Sequence, residues 1–439
     1  MKFRIIIIYC IFSYIQLYGS SAIDLTGLFI HGGIVSVRSN SSQETFKILS
    51  NETTSQKYWN PLAQCFLSDQ NNSMEVNAIS AVGNSLYSFG KKANTSALSV
   101  LNEYQVFRYY TLTSLINGNG GSINLQGSSR LATATYSSQT EAVLVGGALD
   151  TGTTPRGFIG QPNLADHNIV GSVQPNFQSI NSIALQPMVG VVYAGFNSGG
   201  DLMVGRALLQ APFVADNTFA VTQTNIMSGN YSDRIGVAVD SQGRIIVVGT
   251  GAGNMRIARF QPNGGLDTTF NGVGYLTVAP GAGHAVAITS FDTIVAVGVD
   301  TNAPTRYMVA VVKEDGTFLS TFGGTGVETY TGVGNSIAYG VALVPASDGS
   351  LSNIAIAGST VDGGSTYMQV FMVDFSAQFV ANFCSNTASP GENTQPLIYS
   401  TDNKAYCIIC GINNGIPTLV MGGSDGGNYP NYAFYARTA

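Results

Sequence analysis

The sequence predicts an all-β protein, a β-propeller of seven four-stranded blades, from three observations. The chain has 439 residues with 52 glycines, and only 10% of its residues are charged, a composition typical of all-β folds with many turns. An apolar strand that ends in glycine recurs along the chain. The clearest copy lies within a unit of four short strands, and repeats of this size and content are typical of propeller blades.

The clearest unit spans residues 235–278. It opens with the alternating strand IGVAV (235–239), followed by the apolar, β-branched run RIIVVGT (244–250). That run is short enough to be a buried strand rather than a helix. Two further strands complete the unit, MRIARF (255–260) and YLTV (275–278).

The glycine that closes the apolar strand marks each copy of the repeat. The marker glycines are Gly90, Gly146, Gly195, Gly249, Gly298, Gly358 and Gly411. Their mean spacing is (411 − 90)/6 = 53.5 residues. Because one blade cannot bury both of its faces, the blades must pack on one another in a closed ring. Six or eight blades are the alternatives, since the first and last units match the pattern least well.

A single domain, 23–439, is therefore expected, with seven units inside it. The expected limits of the units are about 74–128, 129–178, 179–232, 233–281, 282–334, 335–391 and 392–439.

The run 243–278 resembles the delta-60 repeat. The matching residues are Gly249, Ala258-Arg259-Phe260, Asn263-Gly264, Leu266-Asp267, Phe270 and Gly274. The next unit keeps Asp315-Gly316 and Phe322 but has Val311-Val312 in place of the Ala-Arg pair, and the other units match loosely. The resemblance implies an exported protein with a propeller fold, and it implies no particular activity.

Residues 1–22 are predicted to be a secretory signal peptide. Lys2 and Arg4 precede an apolar stretch, and small residues up to Ala22 suit cleavage. A membrane anchor is the alternative, but the apolar run falls short of the ~20 residues of a comfortable span. Removing Lys2 and Arg4 leaves 17 basic and 25 acidic residues. This balance disfavours nucleic acid and anionic membranes as partners. We expect a secreted or cell-surface protein without a membrane span after removal of the signal.

Two N-terminal segments fall outside the repeat. Residues 23–38 parallel the end of the clearest unit and are predicted to close the ring with the last unit. NYAFYARTA (431–439) competes for the same position. The polar residues 39–73 are predicted to be a loop insertion.

Four cysteines follow the predicted signal peptide, Cys65, Cys384, Cys407 and Cys410. A disulfide from Cys65 to one of the other three is one prediction, and buried free thiols are an equal alternative. Cys407 and Cys410 lie three apart in one strand, so their side chains are expected on opposite faces.

No catalytic, metal-binding or cofactor-binding set is predicted. Ser424 lies in a G-x-S-x-G sequence, interpreted as a hairpin turn because Gly426 follows Gly411 at the distance at which Gly264 follows Gly249. Asp267 is expected to brace its own turn by accepting backbone N–H groups. The three histidines lack metal-ligand spacing: His31, His167 and His284. Of these, His284 precedes a predicted inner strand and can face the central channel.

Three functions remain open at this stage. The first is a monomeric, non-enzymatic binding or surface-interaction module for a protein or glycan ligand. The second is a propeller hydrolase or lyase, which would gather two or more titratable groups at the channel mouth. The third is a structural surface or adhesin component. An exposed apolar patch on one face would favour the binding module.

Overall fold

The apolar segments of the sequence form antiparallel β-strands in a computed structural model of the chain. The structure describes residues 29–31, 34–38, 45–49, 59–66, 73–82, 85–93, 99–105, 122–123, 130–137, 140, 142–150, 155–162, 169–174, 176–209, 214–344, 353–380, 383, 392–395, 402–413, 416–425 and 429–437. The predicted signal peptide lies outside them. Within these residues there is no helix of the length and hydropathy that a membrane span requires.

The strands are numbered in chain order. The first four are β1 (Phe29–His31), β2 (Ile34–Arg38), β3 (Thr45–Leu49) and β4 (Trp59–Phe66). Blade 1 contains β5 (Ser73–Val82), β6 (Ser85–Ala93), β7 (Ser99–Gln105) and β8 (Ser122–Ile123). Blade 2 contains β9 (Arg130–Ser137), β10 (Ala142–Asp150), β11 (Pro155–Pro162) and β12 (Ile169–Gln174). Blade 3 contains β13 (Ser179–Gln186), β14 (Gly190–Phe196), β15 (Asp201–Leu208) and β16 (Thr222–Ser228).

One long strand is shared by the next two blades. Blade 4 contains β17 (Gly236–Val239), β18 (Ile245–Gly251), β19 (Asn254–Phe260) and the first half of β20 (Tyr275–Ile288). The second half of β20 is the inner strand of blade 5, which continues with β21 (Ile294–Asp300), β22 (Arg306–Val312) and β23 (Val327–Tyr330). A short 3-10 turn, Phe270–Gly272, precedes β20.

The last two blades complete the ring. Blade 6 contains β24 (Ser336–Val344), β25 (Asn353–Asp362), β26 (Ser365–Val373) and β27 (Glu392–Gln395). Blade 7 contains β28 (Asn403–Asn413), β29 (Ile416–Asp425) and β30 (Tyr429–Arg437), with β4 as its fourth strand. The protein is thus an all-β propeller, and its described strands form the predicted seven blades.

The ring closes through a different segment from the one predicted. Strand β4, within the expected loop insertion 39–73, pairs with β30. Residues 23–38 contribute β1 and β2, which lie further out in the same sheet, and 431–439 lies mostly in the third strand. Sequence patterns disfavour β4 because it contains Pro61, which donates no ladder hydrogen bond. In the structure, the register shifts next to Pro61, and such irregular positions tolerate proline.

The prediction for the last marker glycine is also wrong. Gly411 lies in the inner strand β28, opposite Thr418. The corresponding glycine of blade 7 is Gly423 on β29, opposite Ala405. Consequently Ser424 lies near the end of the second strand, β29, rather than in the predicted hairpin turn. The other six marker glycines lie on second strands, and residues 392–395 belong to blade 6 rather than to the last unit.

The core consists of apolar layers between consecutive blades. Second and third strands supply most of it, because both faces of these strands are covered. Between blades 3 and 4, for example, Val192, Val204, Ile245, Val247 and Phe260 are fully buried or nearly so. Similar layers join blades 1 and 2, 2 and 3, 4 and 5, 5 and 6, and 6 and 7.

A close approach of two strands explains the marker glycine. A Cβ on Gly298 would lie 1.9 Å from the carbonyl oxygen of Ala282 on the inner strand. The same clash would arise at Gly195, Gly358 and Gly423, at 1.7 to 2.0 Å from an inner-strand carbonyl oxygen. Gly146 and Gly249 differ, because the atoms nearest to an added Cβ would belong to side chains, at 2.8 Å to Ile180 for Gly146 and at 3.0 Å to Met227 for Gly249.

A hydrogen-bonded Arg-Asp pair holds the link between third and fourth strands in blade 3, where Arg206 Nε donates to Asp216 Oδ2 at 2.8 Å, and in blade 4. In blade 4, Arg259 Nε donates to Asp267 Oδ2 at 2.7 Å, and both residues are buried. Asp267 Oδ1 also accepts from the backbone N–H and hydroxyl of Thr269, which confirms its predicted bracing role. Burial raises the pKa of Asp267, but the Thr269 hydrogen bonds and the Arg259 charge outweigh burial and lower it.

The same position is apolar in two other blades. Backbone hydrogen bonds of 2.9 Å make Val311 and Leu319 the counterparts of Arg259 and Asp267 in blade 5. In blade 6 the counterparts are Met372 and Val380. Both partners change together, as expected if either charge alone would be left buried without compensation.

We therefore predict strong coupling between Arg259 and Asp267. Asp267→Leu alone should lower the free energy of unfolding by about 3–5 kcal/mol, because it leaves the Arg259 charge buried and unpaired. The double variant Arg259→Met with Asp267→Leu should lie within about 2 kcal/mol of the native protein. Urea unfolding of the native protein, the single variants Arg259→Met and Asp267→Leu, and the double variant measures the coupling. A double variant as unstable as the sum of the single ones would contradict it.

Substitution by alanine should lower the stability of the protein by different amounts at two marker glycines. Gly298→Ala places a methyl group against a backbone oxygen that cannot move freely, and should cost roughly 3 kcal/mol or more. Gly249→Ala meets mobile side-chain ends and should cost about 1 kcal/mol. Thermal unfolding of both variants, side by side, decides the matter, and equal losses would refute the steric explanation.

Candidate functional site at the channel mouth

The seven inner strands surround a central channel, and each contributes one side chain at the same level. Six of these described strands carry a one-residue β-bulge there, which turns the extra side chain inwards. In blade 4, Arg234 occupies this level just before β17 begins. In blade order, the residues of this channel ring are Asn77, Ala132, Asn181, Arg234, His284, Tyr339 and Tyr406.

Three ring residues each donate a hydrogen bond from their own blade to the next one. Asn77 Nδ2 donates to the Leu131 carbonyl at 3.2 Å, and Asn181 Nδ2 donates to the Asp233 carbonyl at 2.5 Å. His284 Nδ1 donates to the Ala338 carbonyl at 2.7 Å. In each case the acceptor immediately precedes the ring residue of the following blade. Asn and His therefore hold neighbouring inner strands together at this level.

Arg234 reaches across the channel rather than to the next blade. Its Nη2 donates to Asn77 Oδ1 at 3.0 Å, and its Nη1 lies 3.4 Å from the Tyr406 carbonyl oxygen. Its guanidinium carbon lies 4.2 Å from the centre of the Tyr406 ring and 5.3 Å from that of Tyr339. Among the side chains that the structure describes, no carboxylate forms an ion pair with Arg234.

An aromatic wall faces Arg234. Tyr339 and Tyr406 meet edge to face with ring centres 5.4 Å apart, and His284 stacks on Tyr339 at 5.5 Å. Ser424 Oγ donates to the Tyr406 hydroxyl at 3.3 Å, and burial raises the pKa of Tyr339. Tyr339 is therefore uncharged at neutral pH, and a cation over such aromatic rings is stabilised.

Burial sets the charge states of the other titratable channel residues. Burial lowers the pKa of His284 to about 4; the Ala338 hydrogen bond opposes this, and the Arg234 charge reinforces it. Burial raises the pKa of the Cys407 thiol to about 12. Both groups are consequently neutral near pH 7. Asp233 is the acidic residue among those lining the described cavity, and its carboxylate accepts two hydrogen bonds from Asn230.

The cavity at the channel mouth has a volume of about 200 Å³ and opens to solvent. All seven inner strands line it. At the opposite end of the inner strands, hairpin turns expose apolar side chains, with Met188 82% and Phe291 75% exposed.

The predicted site residues differ in where the structure places them. His284 lines the channel, as the sequence allowed. Cys407 is a free thiol that lines the channel, and Cys410, on the opposite face of β28, packs against the core. The predicted disulfide from Cys65 to one of the three C-terminal cysteines stays a prediction, because Cys384 and the side chain of Cys65 lie outside the described residues. His167 lies outside them too, and His31 ends β1.

The Ser424 sequence lacks the setting of a nucleophile elbow, since a strand, β30, follows it. The described residues contain no cluster of three or more metal-ligating side chains.

Sequence reasoning missed most of the channel ring, although a positional signal exists. Asn181 lies 195 − 181 = 14 residues before its marker glycine, and His284 lies 298 − 284 = 14 before its own. The bulge interrupts the two-residue alternation at this point, so the strand pattern hides the inward residue.

No protein-family model and no curated protein sequence matches the chain. Among solved structures, the chain is similar to the Dos1 propeller, with a TM-score of 0.45 and 8% identity over 90% of this chain and 89% of that one. It is also similar to Sqt1 from Chaetomium thermophilum, with a TM-score of 0.44 and 10% identity over 85% and 100%. A structure of that Sqt1 bound to the N-terminus of ribosomal protein L10 gives 0.39 and 13% over 67% and 69%. The fold assignment rests on the strand pairing described above.

His284 predicts a pH dependence of stability. Its pKa is about 4 in the folded protein and 6.5 unfolded, so between these values only the unfolded chain binds the proton. Stability should therefore fall as the pH falls from 6.5 towards 4, by on the order of 2 kcal/mol for a ring that partly faces the channel.

His284→Asn is the matched control, because asparagine makes the same inter-blade bond in blades 1 and 3. Urea unfolding across this pH range should show the loss in the native protein and a smaller loss in the variant. Identical pH profiles would contradict the assignment.

Proposed function

We propose that this protein is a non-enzymatic binding propeller whose ligand enters the cavity at the channel mouth. The observation that carries the proposal is the placement of Arg234 in that cavity, over Tyr406 and beside Tyr339, without a described carboxylate partner. An arginine beside aromatic side chains in a cavity open to solvent is typical of recognition sites.

The asymmetry of the channel ring supports this function. Repeats that served only to build a ring could carry the same inward residue in every blade. Here Asn77, Asn181 and His284 form the bonds between blades, whereas Arg234 and the two tyrosines form one side of the cavity. Ala132 leaves room in blade 2. The ring therefore combines structural positions with a chemically distinct recognition side.

The cellular setting is proposed from the sequence. The predicted signal peptide 1–22 supports export to the cell surface or beyond, and the matching residues in 243–278 support a place among delta-60 repeat proteins. A protein or glycan ligand would suit such a location, and we propose that the propeller acts as a monomer.

Filling the cavity tests the proposed function. Ala132→Tyr introduces a large side chain at a half-buried channel position. Ligand-observed NMR with a set of small neutral, anionic and cationic fragments should detect binding to the native chain, and the variant should lose it. Val333→Tyr is the control, because Val333 is 64% exposed in the link from β23 to β24 and does not line the cavity. If no fragment loses binding in Ala132→Tyr, the channel mouth is not a ligand site.

A further inference from the structure

We propose that the channel mouth binds a small planar monocarboxylate, whose carboxylate group pairs with Arg234. This inference rests on the proposed function, because it takes the cavity to be a binding site and names the chemistry of its ligand.

Arg234 has hydrogen-bond donors left over for a ligand. A guanidinium carries five N–H donors, and Arg234 directs one each to the Asn77 amide oxygen and the Tyr406 carbonyl oxygen. Both acceptors are uncharged. A half-buried cation without a counter-ion is costly, and a ligand carboxylate would neutralise it while accepting charge-assisted hydrogen bonds from the remaining donors.

The charges around the cavity limit the ligand to one negative charge. Lys404, on β28, is already paired with Asp402, with Nζ 2.9 Å from Oδ1. His284 is neutral at physiological pH, and Asp233 adds a negative charge at the same mouth. The cavity can therefore compensate a carboxylate but not a phosphate, which carries about −1.5 to −2 at neutral pH.

The shape of the cavity favours a small, flat ligand. The rings of Tyr339, Tyr406 and His284 give the cavity flat walls, and flat molecules pack well against such walls. The cavity has a volume of about 200 Å³. One aromatic ring with a carboxylate fits that space, whereas pockets for larger ligands usually exceed about 300 Å³.

Benzoate and benzamide are the probes, because they share a shape and differ in charge. We expect benzoate to bind the full chain at least tenfold more tightly than benzamide at neutral pH and low salt, by calorimetric or NMR titration. Added salt should weaken benzoate binding and leave benzamide binding unchanged. Equal affinity for the two probes, or tighter binding of inorganic phosphate than of benzoate, would overturn the proposal.

Variants locate the charge that is responsible. Arg234→Gln should reduce benzoate affinity to that for benzamide. Lys313→Gln removes the same charge from an exposed turn and should change neither affinity. Asp233→Asn should strengthen benzoate binding severalfold, because it removes a nearby negative charge, and it remains informative if Arg234→Gln does not fold. Benzoate binding unaffected by Asp233→Asn would count against the channel site.

The two proposals fail in different ways. If neutral fragments bind and Ala132→Tyr abolishes their binding, but benzoate shows no advantage over benzamide, the binding function stands and the carboxylate inference is wrong. If neither neutral nor charged fragments depend on Ala132, both proposals are wrong.

Discussion

A one-residue bulge in the inner strand governs both the channel and the sequence pattern of the repeat. In six of the seven described inner strands, the bulge turns one side chain towards the axis. Next to it, an inner-strand carbonyl approaches the second strand so closely that only glycine fits opposite, as at Gly195 and Gly298. The repeated glycine at the end of an apolar strand thus results from the same bulge that turns side chains into the cavity.

Contacts between blades use interchangeable chemistry at equivalent positions. The apolar layers are continuous around the described part of the ring, while the link after the third strand is held by an ion pair at Arg259–Asp267 and by an apolar pair at Val311–Leu319. Either solution satisfies the same backbone hydrogen bonds. What the fold requires at this position is a matched pair, since an unmatched charge would be buried without compensation.

Periodicity predicted the class of fold and the number of blades, because buried second strands such as RIIVVGT are continuous apolar runs that stand out in the chain. The bracing role of Asp267 followed from its place after a turn. The ring closure could not be predicted, since β4 contains Pro61 and its pairing with β30 joins residues far apart in sequence. The candidate site was mostly missed because bulges break the alternation that identifies inward residues, and because Arg234 acts on Asn77 and Tyr406 from other blades.

Closing the ring with β4 has a consequence for the order in which the chain is made. The strand that completes blade 7 is synthesised near the start, yet its partner β30 ends at Arg437. The intervening 437 − 66 = 371 residues take roughly 20–75 s to translate at about 5–20 residues/s. Throughout that interval the early strand has β3 on one side but lacks β30 on the other, and unpaired strand edges attract other chains. One edge of this strand must therefore stay unpaired until β30 has been synthesised.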